Sequence, residues 1–370
     1  MSDVQNQVQK AIEHLVDSGA ERGMQVAAYR RGELVVDAVA GIADPATGRL
    51  VQSDTPFYNF SIGKGATSTV AHILAERGRF GYDTPIVDLW PEFGAHGKHR
   101  VTVRHVLSHS AGVPGIPLKT TPEDLCDWDK MCAAIAGAEL WWEPGTKVGY
   151  HAYTFGYIVG ELVRRATGKR ISQVLLEEVS GPLGVGDELY FGMPQSEHHR
   201  LARLEDAGSG AEMMPAMPPD LPMFKAGPVT LMPTAQLGNR ADILAADIPA
   251  GGKTSARAVA RMYAAVLDEV DGIRLISPER LREATAVAMS GTDEVFGMQS
   301  TWALGYAVGR PGSAAQDAAT VFGVGGAGGS FAYGDTAGGI AFALTKNKLT
   351  PDFNATAQLS QIVTEALRER

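Results

Sequence analysis

Apolar residues recur at helical spacing from Val4 to Val16, so the chain opens with an amphipathic helix over about 4–17. The pattern then tightens to alternation at 24–30 and 33–40, which predicts two strands joined by a hairpin turn at Arg30-Arg31-Gly32. A further extended piece falls near 56–60. Helical patterns follow at 63–78, 101–109, 122–136, 154–167 and 171–179. Loops such as Gly112-Val113-Pro114-Gly115 and Glu143-Pro144-Gly145 separate them. From about 190 to 252 the periodicity fades, prolines accumulate, and Met193, Met213, Met214, Met217, Met223 and Met232 cluster. A segment of that kind reads as a lid-like excursion, because methionine adapts to apolar pockets of variable shape. Helices are predicted again at 254–268 and 278–287, strands at 302–308, 320–323, 329–333 and 338–346, and a closing helix at 355–369. Strands at both ends with helices between predict an α+β fold. Its mainly antiparallel sheet is assembled from N- and C-terminal strands and flanked by helices. The expected organisation is a single domain over 1–370. An α/β part occupies about 1–65 and 300–370, and a mostly helical insert about 66–299 carries the 190–252 segment.

The composition of the 370 residues, 45% hydrophobic and 20% charged, provides for a substantial core. A net charge of −9 with both signs interspersed, and no strongly basic stretch, argues against nucleic acid as a partner. The chain has two cysteines, Cys126 and Cys132, and so no disulfide framework. The first residues, Met1 to Gln7, are polar and lack the basic and apolar regions of a secretory signal. No long apolar run exists, so no membrane span is expected. Together these features predict a cytoplasmic protein. Its oligomeric state is not legible in the sequence.

Chemistry concentrates first at Ser61-Ile62-Gly63-Lys64, where an extended run gives way to a helical pattern. Residues three apart on a helix share a face. A helix N-terminus supplies free amides, and a desolvated lysine loses its proton readily enough to serve as base toward the serine. The letters S-x-x-K alone are weak evidence; the strand-to-helix setting strengthens them. A second candidate is Tyr150, on a loop between a Pro-Gly turn and a helix, as a general acid or base. A third is the run Phe322-Gly323-Val324-Gly325-Gly326-Ala327-Gly328-Gly329-Ser330, whose glycines let backbone amides approach a substrate oxyanion. An extended piece and not a helix follows it, which argues against dinucleotide binding. His105 and His109, four apart on an expected helix with His96 and His99 upstream, have a spacing compatible with a metal, but no acidic or cysteine ligand accompanies them. No metal or cofactor is expected.

Several landmarks recur in order: Phe60-Ser61-Ile62-Gly63-Lys64, Thr102 to Gly112, Trp142-Glu143-Pro144-Gly145-Thr146, Tyr150-His151-Ala152, Ile248-Pro249-Ala250-Gly251 and Gly325 to Ser330. With them the chain resembles the serine β-lactamase and penicillin-binding-protein superfamily over about 10–368, and especially its class C-like branch, which includes the family VIII carboxylesterases and related acyltransferases. The resemblance implies a β-lactamase/transpeptidase-like fold and an acyl-enzyme on Ser61. Lys64 and Tyr150 would move the proton, and the amides of Ser61 and Ala327 would form the oxyanion hole. His151, Trp142, Val324, Gly325 and Gly326 would line the substrate pocket. Two departures bear on the substrate. Ala152 stands where β-lactamases carry an asparagine, and Val324-Gly325-Gly326 replaces their lysine-threonine-glycine element. A side-chain amide and a cationic anchor are thereby absent, which argues against efficient penicillin or D-Ala-D-Ala chemistry. The expected activity is therefore hydrolysis of small carboxylic esters. The alternative is acyl transfer to an alcohol or amine in biosynthesis. A β-lactamase or D-amino-acid peptidase, or a non-catalytic binding protein, stands behind both.

Overall fold

The computed structural model describes residues 3–208, 221–313 and 319–368. Helix α1 (Asp3–Asp17) leads into strands β1 (Gly23–Arg30) and β2 (Glu33–Asp44), where the hydrophobic pattern puts them. Arg31 and Gly32 both take left-handed φ, 47° and 81°, the twist that a two-residue hairpin needs. Strand β3 (Arg49–Leu50) edges β2. The small strands β4 (Phe57–Tyr58), β5 (Leu189–Tyr190) and β7 (Lys253–Thr254) form a separate sheet, and β6 (Glu205–Asp206) pairs with β14 (Lys348–Leu349).

The C-terminal strands are β8 (Met289–Thr292), β9 (Gln299–Trp302), β10 (Ala307–Val308), β11 (Val321–Gly325), β12 (Phe331–Asp335) and β13 (Ile340–Lys346). Among the described residues they join the first three strands in one nine-stranded sheet, in the order β3-β2-β1-β13-β12-β11-β10-β9-β8. The N- and C-terminal ends of the chain meet where β1 pairs antiparallel with β13, Val26 opposite Leu344. Side chains alternate across this pair. Met24, Val26, Ala28, Phe342 and Leu344 face α1 and the last helix, α13 (Asn354–Arg368). Ala27, Tyr29, Ala341 and Ala343 join the larger core on the other face.

That larger core contains α2 (Gly63–Glu76), which is buried from Gly63 to Ala75. Its polar residues are therefore bonded internally, as buried hydroxyls must be. Thr67 donates to Pro249 O (2.6 Å), Ser68 to Gly305 O (2.9 Å), and Thr69 shares a bond with Tyr306 Oη (2.9 Å). These bonds tie one helix to a central loop and to the β9–β10 turn, and so fix the helix start against both.

Three expectations need correction. The helix over 101–109 is only α3 (Val103–Leu107), begun by a capping box between Thr102 and His105, and His109 lies beyond it at φ 56°. The helix over 122–136 breaks at Asp127 into α4 (Pro122–Cys126) and α5 (Trp128–Ala136), because Asp127 leaves helical geometry and its carboxylate caps the second piece at Lys130 N–H (3.0 Å). The strand over 302–308 is two strands, β9 and β10, turning at Ala303–Tyr306. The described residues of the 190–252 segment include the short helices α8 (Met223–Ala226), α9 (Ala235–Gly238) and α10 (Ala241–Ala245). Met213, Met214 and Met217 lie outside the described residues. Helices at Thr154–Thr167, Ala256–Leu267 and Pro278–Thr285 stand near their predicted places. Among the described residues, no helix is long and apolar enough to cross a membrane.

Candidate active site

Ser61 lies in a single 3-10 turn, Phe60–Ile62, between β4 and α2. Phe60 takes φ 46°, and the turn is stapled to a neighbouring loop: Asn59 N–H donates to Gly252 O (2.8 Å) and Gly252 N–H to Phe60 O (3.0 Å). Only glycine permits this approach at the start of α2, since a Cβ on Gly63 would stand 2.3 Å from the carbonyl carbon of Gly251. The close contact brings the carbonyl of Ala250 over the first helical turn. There it accepts a hydrogen bond from Lys64 Nζ (3.1 Å).

The same Nζ lies 3.0 Å from Ser61 Oγ and 4.9 Å from the centroid of the Tyr150 ring. Lys64 is buried, and no carboxylate pairs with it among the described residues. Burial without a counter-charge penalises the ammonium and lowers its pKa to about 7. A lowered pKa is not in itself a site. Lys253 is also buried and pushed down to about 7, but it is spent on the carbonyls of Phe191 and Ile243, and among the described residues no side-chain hydroxyl or thiol hydrogen-bonds to it. What sets Lys64 apart is the serine hydroxyl at hydrogen-bond distance.

Tyr150 is half-buried beside that pair. Burial raises its pKa, a hydrogen bond with Ser61 lowers it in part, and the Asp293 carboxylate raises it further. The group is thus a neutral phenol near neutrality, and Lys64 is the residue whose proton is lost first. Around the phenol stand two aromatic residues that the sequence did not single out, Trp302 and Phe296, and one that it weighed only as a metal ligand, His109. Trp302 stacks on it at 5.8 Å between centroids, Phe296 lies at 5.7 Å and His109 at 4.9 Å.

The glycine run docks on the serine turn from the sheet side. A Cβ on Gly326 would fall 2.1 Å from Asn59 O, and Gly328 and Gly329 take φ of 90° and 93°. This seats half-buried Ala327 next to the 60–62 turn. Among the described residues, the N–H groups of Ser61 and Ala327 have no backbone acceptor. Gly326→Ala is expected to push the run away from the turn. It should cost about 1–3 kcal/mol of stability, the usual range for overpacking, and lower turnover as well. Thermal unfolding and ester hydrolysis on the same preparation check both.

The residues expected in the substrate pocket are placed unevenly. His151 is buried with both ring nitrogens engaged by backbone: Nδ1 donates to Gly149 O (2.6 Å) and Nε2 accepts from Val113 N–H (3.1 Å). Trp142 is buried against Gly149 and donates to Ser110 O (3.3 Å). These two brace the Tyr150 loop and have no polar atom left for a ligand. Val324 sits in β11 opposite Ala332, inside the core, and Gly326 is covered by the serine turn; Gly325 keeps partial exposure. The histidines do not converge on a metal. His105 caps α3, His109 bonds to the Tyr150 loop, and no group of three or more ligating side chains occurs among the described residues. A cavity of about 730 Å³ bounded by Cys126–Asp129, Arg164, Arg170–Ser172 and Ala245–Asp247 includes none of the Ser61 group.

Known proteins match this chain over nearly its whole length. The beta-lactamase family model matches residues 8–365. An esterase/beta-lactamase, LipL of Mycobacterium tuberculosis, is 35% identical over 341 residues, which cover 88% of this chain and 77% of the relative. The crystal structure of a family VIII carboxylesterase superposes with a TM-score of 0.89 at 32% identity, covering 99% of this chain and 98% of its own. A penicillin-binding protein homologue from Caulobacter crescentus gives 0.87 at 31% identity, over 99% and 98% of the two chains.

Proposed function

This chain belongs to the beta-lactamase family, and from that premise we propose that it hydrolyses small carboxylic esters through an acyl-enzyme on Ser61. The observation that carries the reading is the 3.0 Å contact between Ser61 Oγ and the buried, carboxylate-free Lys64. Neutral Lys64 accepts the serine proton as Oγ attacks the ester carbonyl. The Ser61 and Ala327 amides receive the developing oxyanion, each such donor being worth roughly 3 kcal/mol in the transition state. As the tetrahedral intermediate collapses, the C–O bond to the alcohol breaks. The proton held by Lys64 passes through the Tyr150 hydroxyl to the departing oxygen. Water then attacks the acyl-enzyme, gives its proton to the same pair, and releases the acid and Ser61. An alcohol or amine in place of that water would make the reaction an acyl transfer.

Relatives named an esterase/beta-lactamase, an esterase and a family VIII carboxylesterase support an ester as the substrate. Ala152 and the Val324-Gly325-Gly326 run support it further, since neither supplies the polar or cationic group that would hold a β-lactam's amide and carboxylate. The same reading keeps one folded unit over 1–370, with the nine-stranded sheet drawn from the N-terminal strands and from strands that begin at Met289, and a mostly helical part between them.

A series of p-nitrophenyl esters run beside nitrocefin tests this assignment. Butyrate or a neighbouring chain length should turn over with kcat/KM at least about 100-fold above nitrocefin, the scale of one missing hydrogen bond to a charged group, about 1.5–3 kcal/mol. Comparable rates on nitrocefin would overturn the ester assignment. Added alcohols or amines that divert most of the acyl group from water would favour transfer over hydrolysis.

A further inference from the structure

The backbone on both sides of Tyr150 is held by one residue. Gly149 N–H donates to the carbonyl of His109 (3.0 Å), and His151 N–H donates to Nδ1 of the same histidine (3.0 Å). The His109 ring also lies 4.9 Å from the Tyr150 ring and 4.1 Å from that of Trp302. We propose that His109 is the positioning residue for Tyr150, a two-point clamp that sets where the phenol stands relative to Ser61 and Lys64. The inference rests on the catalytic reading of Tyr150 given above.

The local geometry explains why one residue reaches both neighbours. His109 follows α3 at φ 56°, a left-handed turn that breaks the helix. In that conformation its carbonyl and its side chain both meet the Gly149–His151 stretch. Histidine, asparagine and aspartate tolerate such φ values better than most residues. The ring is buried, and burial together with nearby His151 and Lys64 holds its pKa well below the ordinary value. It is therefore neutral, as an acceptor at Nδ1 requires, and the proton is on Nε2. That atom has no hydrogen-bond partner among the described residues. The rings of Phe155, Trp302 and Tyr150 are its neighbours. The Nδ1 bond is thus the one polar contact that the imidazole makes, and it falls next to Tyr150.

The clamp belongs to a longer seam between two loops. Trp141 N–H donates to Gly112 O (2.8 Å), Gly145 N–H to Ser110 O (2.9 Å), and Val113 N–H to His151 Nε2 (3.1 Å). The seam survives loss of one side chain, so a change at His109 should shift Tyr150 without unfolding the loop.

Asparagine can replace histidine in this role. Its Oδ1 occupies nearly the position of Nδ1 and it accepts a left-handed φ. Phenylalanine keeps the ring and loses the acceptor. Glutamine keeps polarity but carries its acceptor one methylene farther. The expected result is that His109→Phe and His109→Gln lose about 100-fold in kcat with KM nearly unchanged, the scale of a small misplacement of a reacting group, whereas His109→Asn stays within about fivefold of wild type. Melting curves on each variant confirm folding. Should the Phe protein not fold, the Asn and Gln pair makes the same comparison. Wild-type kcat in His109→Phe or His109→Gln, or an Asn variant no better than Gln, would overturn the proposal. Tyr150→Phe run in parallel separates the two claims. Full activity there would overturn the catalytic reading of Tyr150, while an inactive Tyr150→Phe beside an active His109→Phe would overturn the clamp alone.

Discussion

Ser61→Ala is expected to lower p-nitrophenyl butyrate hydrolysis by roughly four to six orders of magnitude, the loss seen when a serine enzyme keeps its oxyanion donors but not its nucleophile. The substitution removes one oxygen from a half-buried position and leaves the 3-10 turn intact. The turn is held by the Asn59 and Gly252 backbone bonds and not by the hydroxyl. Melting temperature should therefore change little, and KM for any residual turnover should remain in the wild-type range. A variant that folded normally and kept wild-type turnover would place the nucleophile elsewhere. The two cysteines offer no substitute. Burial raises the thiol of Cys126 to about 11 and pushes that of Cys132 higher still, so neither is a thiolate near neutrality.

The second large effect concerns the base. Lys64→Met replaces the lysine with a side chain of similar reach and no charge. It should cost about 1000-fold in kcat/KM, within the range of general acid–base catalysis. Stability should hold or rise, because an unpaired lysine is no longer desolvated. The pH profile gives the sign independently. Lys64 has its pKa lowered to about 7 by burial, and the neutral amine is the active form. The logarithm of kcat/KM should rise as pH increases through about 7 and level off above it. Tyr150 is raised from its ordinary value, so its ionisation should not cut the plateau in the near-alkaline range. A profile flat from pH 5 to about 9 would show that no group with the lysine's lowered pKa limits the reaction. Lys64→Met with wild-type kcat/KM would remove it from the mechanism.

The parts of this site visible in the sequence are those that depend on short-range spacing. Ser61 and Lys64 are three residues apart at a helix start, and one turn of helix suffices to bring them together. Local spacing left Tyr150 only a loop tyrosine; its weight came from the ordered set of motifs around it. The main sheet was legible at both ends because β1, β2, β12 and β13 carry patterns of apolar residues that helices do not. Elements defined by one polar side chain were not. At Asp127 the apolar periodicity runs on while the carboxylate caps the next helix, so the break leaves no hydrophobic signature. At His109 a helical pattern continues through a residue that has already turned left-handed. The hairpin that brings Trp302, Phe296 and Asp293 to Tyr150, and the loop that brings the Ala250 carbonyl to Lys64, are distant in sequence. Only packing reveals them. One signal was available: glycines at 63, 252 and 326 mark backbones in direct contact, and each lies at a junction of the serine turn.

The most direct test is the intact mass of the protein quenched in acid within milliseconds of mixing with excess p-nitrophenyl butyrate, followed by peptide mapping. The account predicts one butyryl group per chain, located on Ser61, appearing with a burst of nitrophenol and absent from Ser61→Ala. Steady turnover with no adduct under conditions where nitrophenol release is complete before product acid forms, or an adduct mapped to any other residue, would contradict it.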